Sequence, residues 1–94
     1  MDEAVPQATL ARIREIISAN AEGAIEAHDL RTRRAGRMMF IDFHLVVPGS
    51  MSVNAAHDIC DRIEKAVKQE FPDALISIHV EPDDRAKHSG IVVL

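Results

Sequence analysis

Hydrophobic residues repeat with a helical period in two parts of the chain. Near the start, Leu10, Ile13 and Ile17 lie three or four positions apart with charged residues between them, which predicts a helix over residues 6–19. A second helix is predicted from a capping serine, Ser50 or Ser52, to residue 70. Its apolar side comprises Ala56, Ile59, Cys60, Ile63, Ala66 and Val67. Each helix therefore has one side available for a common core.

Three other segments alternate with a period of two, which predicts strands over residues 24–33, 38–47 and 74–81. In the middle segment every odd-numbered residue is apolar and is expected to face the helices: Met39, Ile41, Phe43, Leu45 and Val47. By the same logic the inward residues of the other two strands are Ile25, Ala27, Ala74, Ile76, Ile78 and Val80. On the first strand the outward residues are then Glu26, His28, Leu30 and Thr32.

The predicted order is helix, strand, strand, helix, strand. Two helices can cover only one face of a three-stranded sheet, so we expect an α+β two-layer sandwich with one open sheet face. The connection from the second strand through a helix to the third predicts a parallel, right-handed unit. We expect a single domain over residues 1–94, with a core over about 8–82 and a polar tail over 83–94. That tail is either disordered or adds a short edge strand at 91–94.

Composition excludes several classes of function. The chain has 94 residues, a net charge of −4 and 3% aromatic residues, which argues against binding to nucleic acid. No apolar run is long enough to insert into a membrane, and residues 1–7 lack the pattern of a signal peptide. One cysteine, Cys60, excludes an internal disulfide and fits a reducing compartment. These features predict a cytoplasmic protein or an excised soluble domain.

Three strands each carry a histidine toward the predicted open face: His28, His44 and His79. Glu81 follows His79 by two residues and shares its face. Imidazole nitrogen and carboxylate oxygen are ligands for zinc and related divalent ions, although no compact motif such as HExxH or CxxC is present. The same face carries apolar residues that predict an interface between two copies of the chain: Met38, Phe40, Val46 and Leu75.

The remaining candidates are less clearly placed. His57 lies on the flank of the second helix, where Asp61, one turn later, could orient its ring, and the pattern leaves open whether it reaches the open face. Cys60 is expected to be a small core residue, and no role is assigned to His88 in the tail. Four arginines form either a solvated hairpin or a contact with an acidic partner: Arg31, Arg33, Arg34 and Arg37.

Three segments carry a family resemblance: HDLRTRRAG from His28, MFIDFHLVVPGSMSVNAAHDICDRIE from Met39, and ISIHVEP ending at Pro82. Together they resemble the cytoplasmic C-terminal domain of cation diffusion facilitator transporters, over residues 10–82. The resemblance implies a ferredoxin-like αββαβ fold of the metallochaperone type, and a homodimer with metal sites near its interface. It also implies a set of ligands: His28, His44, His57, His79 and Glu81. Some family members bind two adjacent ions bridged by the carboxylate.

The resemblance leads to a functional hypothesis. The family's transmembrane domain does not lie within these 94 residues, so the chain is either part of a transporter, on the cytosolic face of its membrane, or a stand-alone protein, and it cannot transport ions by itself. We expect a homodimeric regulatory domain that binds Zn2+, or else Cd2+, Co2+, Ni2+, Mn2+ or Fe2+, and changes its dimer arrangement. The alternatives are a stand-alone metal buffer or chaperone and a small-molecule-binding regulatory module. No nucleophile or phosphate loop accompanies His79 and Glu81, so an enzyme is not expected.

Overall fold

The computed structural model describes residues 3–85, 90, 91 and 93, and two helices and three strands follow one another in the predicted order. They are α1 (Gln7–Asn20), β1 (Glu26–Ala35), β2 (Met38–Val47), α2 (Val53–Glu70) and β3 (Ala74–Pro82), followed by a short 3-10 helix at Asp83–Arg85. The predicted boundaries are within two residues of these. The α+β fold with one open sheet face is confirmed.

Local hydrogen bonds explain where the helices begin and end. Ser52 caps α2, because its Oγ accepts a hydrogen bond from the backbone N–H of Ala55 at 3.0 Å. At the end of α1, the side-chain amide of Asn20 donates to the carbonyl of Ile16 at 2.8 Å. Gly23 follows with a φ of 101°, a conformation that glycine adopts without strain, and the chain turns there toward β1.

The sheet has the order β1-β2-β3. β1 and β2 are antiparallel, whereas β2 and β3 are parallel and are connected through α2. Two isolated bridges extend the outer edge of β1: Glu3 pairs with Arg34, and Ile91 pairs with Ala27. Ile91 therefore lies at the edge of the sheet, whereas residues 86–89 of the predicted tail, His88 included, lie outside the described residues.

The core lies between the two helices and one face of the sheet. As predicted, the odd-numbered residues of β2 belong to it, and Phe43 and Leu45 have no exposed surface. The helices contribute Ile13, Ile16, Ile17, Ile59, Ile63 and Val67. Burial of these aliphatic and aromatic side chains stabilises the fold and fixes which face of the sheet remains open.

A β-bulge interrupts β1 beside the open face. His28 pairs with His44, but Arg31, three residues further along β1, pairs with a residue only two positions away in β2. Asp29 and Leu30 therefore oppose a single residue of the neighbouring strand. Asp29 has a φ of 55°, a left-handed conformation that aspartate tolerates better than most residues.

The predicted alternation of β1 is wrong beyond His28 because the bulge reverses it. Leu30 packs against the core, and Thr32 pairs with Ile41, whose side chain is also in the core. Arg31 and Arg33 take their places on the open face, opposite the even-numbered residues of β2.

Three further predictions of burial are wrong. Val80 was expected in the core but is 46% exposed, because the core face of the edge strand β3 is uncovered near its carboxyl end. Ile25 is 40% exposed and precedes the first residue of β1. Val46 was expected in an exposed patch but is fully buried, between Glu26 and Glu81 in the sheet register. The open face is therefore less apolar than the sequence predicts.

Candidate metal centre

Three histidines form a row across the open face of the sheet. His28 is the direct partner of His44 in the antiparallel pair, and His44 is the direct partner of His79 in the parallel pair. The ring centroids of His28 and His44 are 5.4 Å apart, and those of His44 and His79 are 5.2 Å apart with nearly parallel planes. Strand register therefore brings these three side chains together, although they are up to 51 positions apart in the sequence.

Glu81 supplies a carboxylate to this row. One of its oxygens, Oε1, is in direct contact with Nδ1 of His44. The other, Oε2, is 3.7 Å from Nε2 of His28. The carboxylate thus faces one nitrogen of each of two imidazoles, and both types of donor atom are ligands for zinc.

Asp29 adds a second carboxylate that the sequence analysis did not include. Its Oδ2 is 3.9 Å from Nδ1 of His44 and 4.0 Å from Nε2 of His28. The bulge allows this approach, because in a regular strand the residue after His28 would point to the opposite face. One signal in the sequence could have indicated the bulge: Leu30 was an apolar residue on an otherwise polar predicted face.

The donor set fits a divalent metal ion. Ligand atoms of His28, Asp29 and His44 all lie within 4.8 Å of one another. Around a tetrahedral zinc ion, ligands about 2.0–2.1 Å from the metal are roughly 3.3 Å from each other. The separations of 3.7–4.0 Å are somewhat longer than this and the contact between His44 and Glu81 is shorter, so side-chain rotation is needed to place all the donors around one ion.

The other two predicted ligands lie apart from this group. The group within 4.8 Å contains neither Glu81 nor His79, but Glu81 faces both of its histidines, whereas His79 is exposed and stacks on His44. His57 is on α2 with 71% of its side chain exposed. Its Nε2 is 3.3 Å from Oδ2 of Asp61, so the predicted contact with Asp61 is present.

Two other chemical features of the chain are explained by their surroundings. Cys60 is half-buried against the core. The pKa of its thiol is raised mainly by burial and to a smaller extent by the nearby negative charges of Asp61 and Glu64. The thiol is therefore a poor metal ligand, because the thiolate is the binding form.

In the arginine-rich hairpin, the guanidinium of Arg33 lies 4.0 Å from the centre of the Phe40 ring and covers part of the open face.

Comparison with known proteins gives a consistent result. The family described as cation efflux protein, cytoplasmic domain, matches residues 5–83. The cation-efflux pump FieF of Shewanella oneidensis is 40% identical over 82 residues, covering 87% of this chain and 27% of that protein. This chain thus spans about a quarter of the length of the curated relatives it matches. Among the described residues, no helix is both long and apolar enough to cross a membrane.

Two solved structures have the same architecture. The Zn form of CzrB aligns with a TM-score of 0.83 and 46% identity, covering 93% of this chain and 99% of that one. The metal-bound C-terminal domain of the CzcD transporter from Thermotoga maritima aligns with a TM-score of 0.70 and 28% identity, covering 83% and 94%.

Proposed function

Because this chain belongs to the family of cation efflux protein cytoplasmic domains, we propose that it binds a divalent metal ion on its open sheet face and uses that ion for regulation. Membership confirms the predicted resemblance, the ferredoxin-like fold and the cytoplasmic location. The family consists of transporter domains rather than typical enzymes, and we propose no catalytic activity for this chain. The division into a core over 8–82 and a tail over 83–94 remains a prediction.

The observation that carries the proposal is that ligand atoms of His28, Asp29 and His44 lie within 4.8 Å of one another, with the Glu81 carboxylate facing both histidines. His28, His44 and Glu81 come from β1, β2 and β3 respectively, and Asp29 approaches from the bulge. We propose that these four residues hold the first ion. Zinc is the preferred ion, since it is commonly tetrahedral with nitrogen and oxygen ligands, and since the similar CzrB was solved in a zinc form. Cadmium, cobalt, nickel, manganese and iron suit the same donors.

We propose that His79 and His57 serve a second, adjacent ion in a homodimer. Both side chains are exposed and neither belongs to the converging group, so a second copy of the chain could complete a site with them. Glu81 would be shared between the two ions. Leu75, which is 49% exposed on the open face of β3, is apolar surface that a second copy would cover.

The regulatory step would be a change in dimer arrangement. A metal can shift such an equilibrium only if one arrangement binds it more tightly than another. Ligands divided between two subunits meet this condition, because few arrangements bring them all to one ion. The packed core resists deformation, so each subunit would keep its fold. Within a transporter the shift would bias the transport cycle, and alone the same domain would buffer or deliver metal.

Calorimetric titration with zinc tests metal binding. His44→Ala should lower the affinity by more than the roughly 10–100-fold that is typical of a residue that only hydrogen-bonds to a ligand. His79→Ala should reduce the number of ions bound. Ser77→Ala, an exposed residue of β3 in register with Asp42 of β2, is the matched control and should bind as the wild type does. Unchanged affinity and stoichiometry in both histidine variants would refute the site.

Distances between subunits test the regulatory step. A spin label at position 68 on the exposed side of α2, in a Cys60→Ala background, would report one label per subunit. Saturating zinc should narrow the distribution of label distances and shorten its mean. Identical distributions with and without zinc would refute the change of arrangement and would favour a rigid dimerisation domain or a passive buffer.

A further inference from the structure

A second glutamate lies against His28 on the side away from the converging carboxylates. Glu26 precedes His28 by two residues on β1, and both residues are buried. Oε2 of Glu26 is 2.7 Å from Nδ1 of His28, a normal hydrogen-bond distance. The sequence analysis placed Glu26 on the same face as His28 but assigned it no role.

This contact determines which nitrogen of His28 carries the proton. If Glu26 is ionised, its carboxylate can only accept a hydrogen bond, and Nδ1 of His28 then donates and bears the hydrogen. In the neutral imidazole the lone pair is then on Nε2, the nitrogen that faces Glu81 and Asp29 at 3.7 Å and 4.0 Å. One ring nitrogen is used for positioning and the other remains available for a metal.

We propose that Glu26 is a positioning residue: it holds His28 in the tautomer whose Nε2 binds the metal, without binding the metal itself. The inference rests on the proposed metal site, and it adds that Glu26 must hold His28 in one tautomer for the metal to bind tightly. His44 differs, because its Nδ1 contacts Glu81, which is itself a proposed ligand, so a bound ion would take the place of the proton between those two groups. The two histidines are thus expected to bind through different ring nitrogens.

Burial strengthens the effect of this contact. Glu26 and His28 have side-chain exposures of 8% and 4%, so water competes little for either group. In such surroundings a charge-assisted hydrogen bond is stronger than at the surface, and the ring is held in one orientation. A histidine whose ring is already oriented loses less freedom when it binds a metal, which favours binding.

Two substitutions of Glu26 separate the effect of its negative charge from that of its hydrogen-bond acceptor. Glu26→Gln keeps an oxygen that can accept from Nδ1 but removes the charge, whereas Glu26→Leu keeps a similar volume and removes the acceptor. Zinc affinity should fall roughly 10–100-fold in Glu26→Leu and less in Glu26→Gln. Asp42→Asn, which alters an exposed carboxylate on the same face, is the control and should leave affinity unchanged.

The tautomer of His28 is measured directly by nitrogen NMR of the ring. In the zinc-free wild type, Nδ1 should be protonated, and in Glu26→Leu the proton should be found largely or partly on Nε2. Zinc should shift the Nε2 signal of His28 and the Nδ1 signal of His44. Cobalt absorption spectra should keep the same coordination number in wild type and Glu26→Gln, because Glu26 is not a ligand.

These experiments distinguish a failure of the proposed metal site from a failure of the proposed role of Glu26. A wild type that binds no zinc would refute the metal site, while the tautomer of the metal-free protein would still decide what Glu26 does to His28. Wild-type affinity in Glu26→Leu, a proton on Nε2 of His28 in the wild type, or a lost ligand in the cobalt spectrum would each overturn the inference. If Glu26→Leu does not fold, Glu26→Gln and the wild-type tautomer decide the question.

Discussion

Phe43 and His44 are neighbours in β2, but they lie on opposite faces of the sheet and serve different purposes. Phe43 is fully buried among aliphatic side chains from both helices. His44 is 34% exposed, and it lies against the carboxylates of Glu81 and Asp29 and the rings of two histidines. One face therefore stabilises the fold, whereas the other holds polar groups that can bind an ion. Because the period of a strand is two, these roles alternate residue by residue.

The largest expected effect concerns the core face. Phe43→Ala should lower the free energy of unfolding by about 3–5 kcal/mol, because it removes buried contacts and leaves a cavity. Urea unfolding in zinc-free buffer measures this change. Phe40→Ala on the open face is the control and should cost clearly less, since Phe40 is only half-buried. Equal losses in the two variants would contradict the division between the faces.

The next effect concerns the open face. In zinc-free buffer, His44→Ala should change the free energy of unfolding by about 1 kcal/mol or less, because its side chain is partly exposed. Zinc at 100 times the dissociation constant should stabilise the wild type by about 2.7 kcal/mol through binding to the native state. This gain should be largely lost in His44→Ala. Melting curves with and without zinc measure it, and a full gain in the variant would show that zinc binds elsewhere.

Asp29 lies in the bulge of β1, and substitutions at this position test the importance of the bulge. Asp29→Val should cost about 1–2 kcal/mol, because a β-branched residue is strained at a φ of 55°. Asp29→Gly and Asp29→Asn are compatible with that conformation and should retain stability. All three should bind zinc more weakly if the carboxylate is a ligand. Wild-type zinc affinity in Asp29→Gly would remove Asp29 from the site while leaving the role of the bulge intact.

The same contrast explains how much could be predicted from the sequence. The orientation of β2 was predicted correctly because all its odd-numbered residues are apolar, which places His44 on the open face, and the alternation of β3 places His79 there in the same way. β1 was predicted correctly only as far as His28, since one extra residue reverses the pattern and leaves little trace except Leu30. Asp29 was missed for that reason.

The alternation pattern also failed to predict the burial of two valines. Val80 alternates correctly but is exposed, and Val46 lies on the open face but is buried. Both outcomes depend on which groups from other elements cover the position, and periodicity carries no information about that. The contact between Glu26 and His28 is similar, because the pattern placed both on one face without indicating that they are buried together.

The smallest expected effect lies outside both faces. Arg12 of α1 hydrogen-bonds to Glu70 at the end of α2 with N–O distances of 2.9 Å, and this contact lowers the pKa of Glu70. A carboxyl group whose pKa is lowered by folding stabilises the native state above its unfolded pKa and loses that contribution as the pH falls through the folded pKa. The wild type should therefore be slightly more stable than Glu70→Gln at neutral pH, and the difference should disappear in acid.

Because both side chains are exposed, salt should reduce this difference in stability. Urea unfolding in zinc-free buffer at both pH values measures this difference, and a difference that persists in acid would contradict the ion pair.

The central claim is that a divalent ion binds between the three strands on the open face. The most direct test is anomalous diffraction at the zinc absorption edge from crystals of this chain grown with zinc. The account predicts a peak about 2.0–2.2 Å from Nε2 of His28, Nδ1 of His44 and a carboxylate oxygen of Glu81. Zinc found only at other positions, such as beside His57 and Asp61, with no peak among the strand histidines, would contradict it.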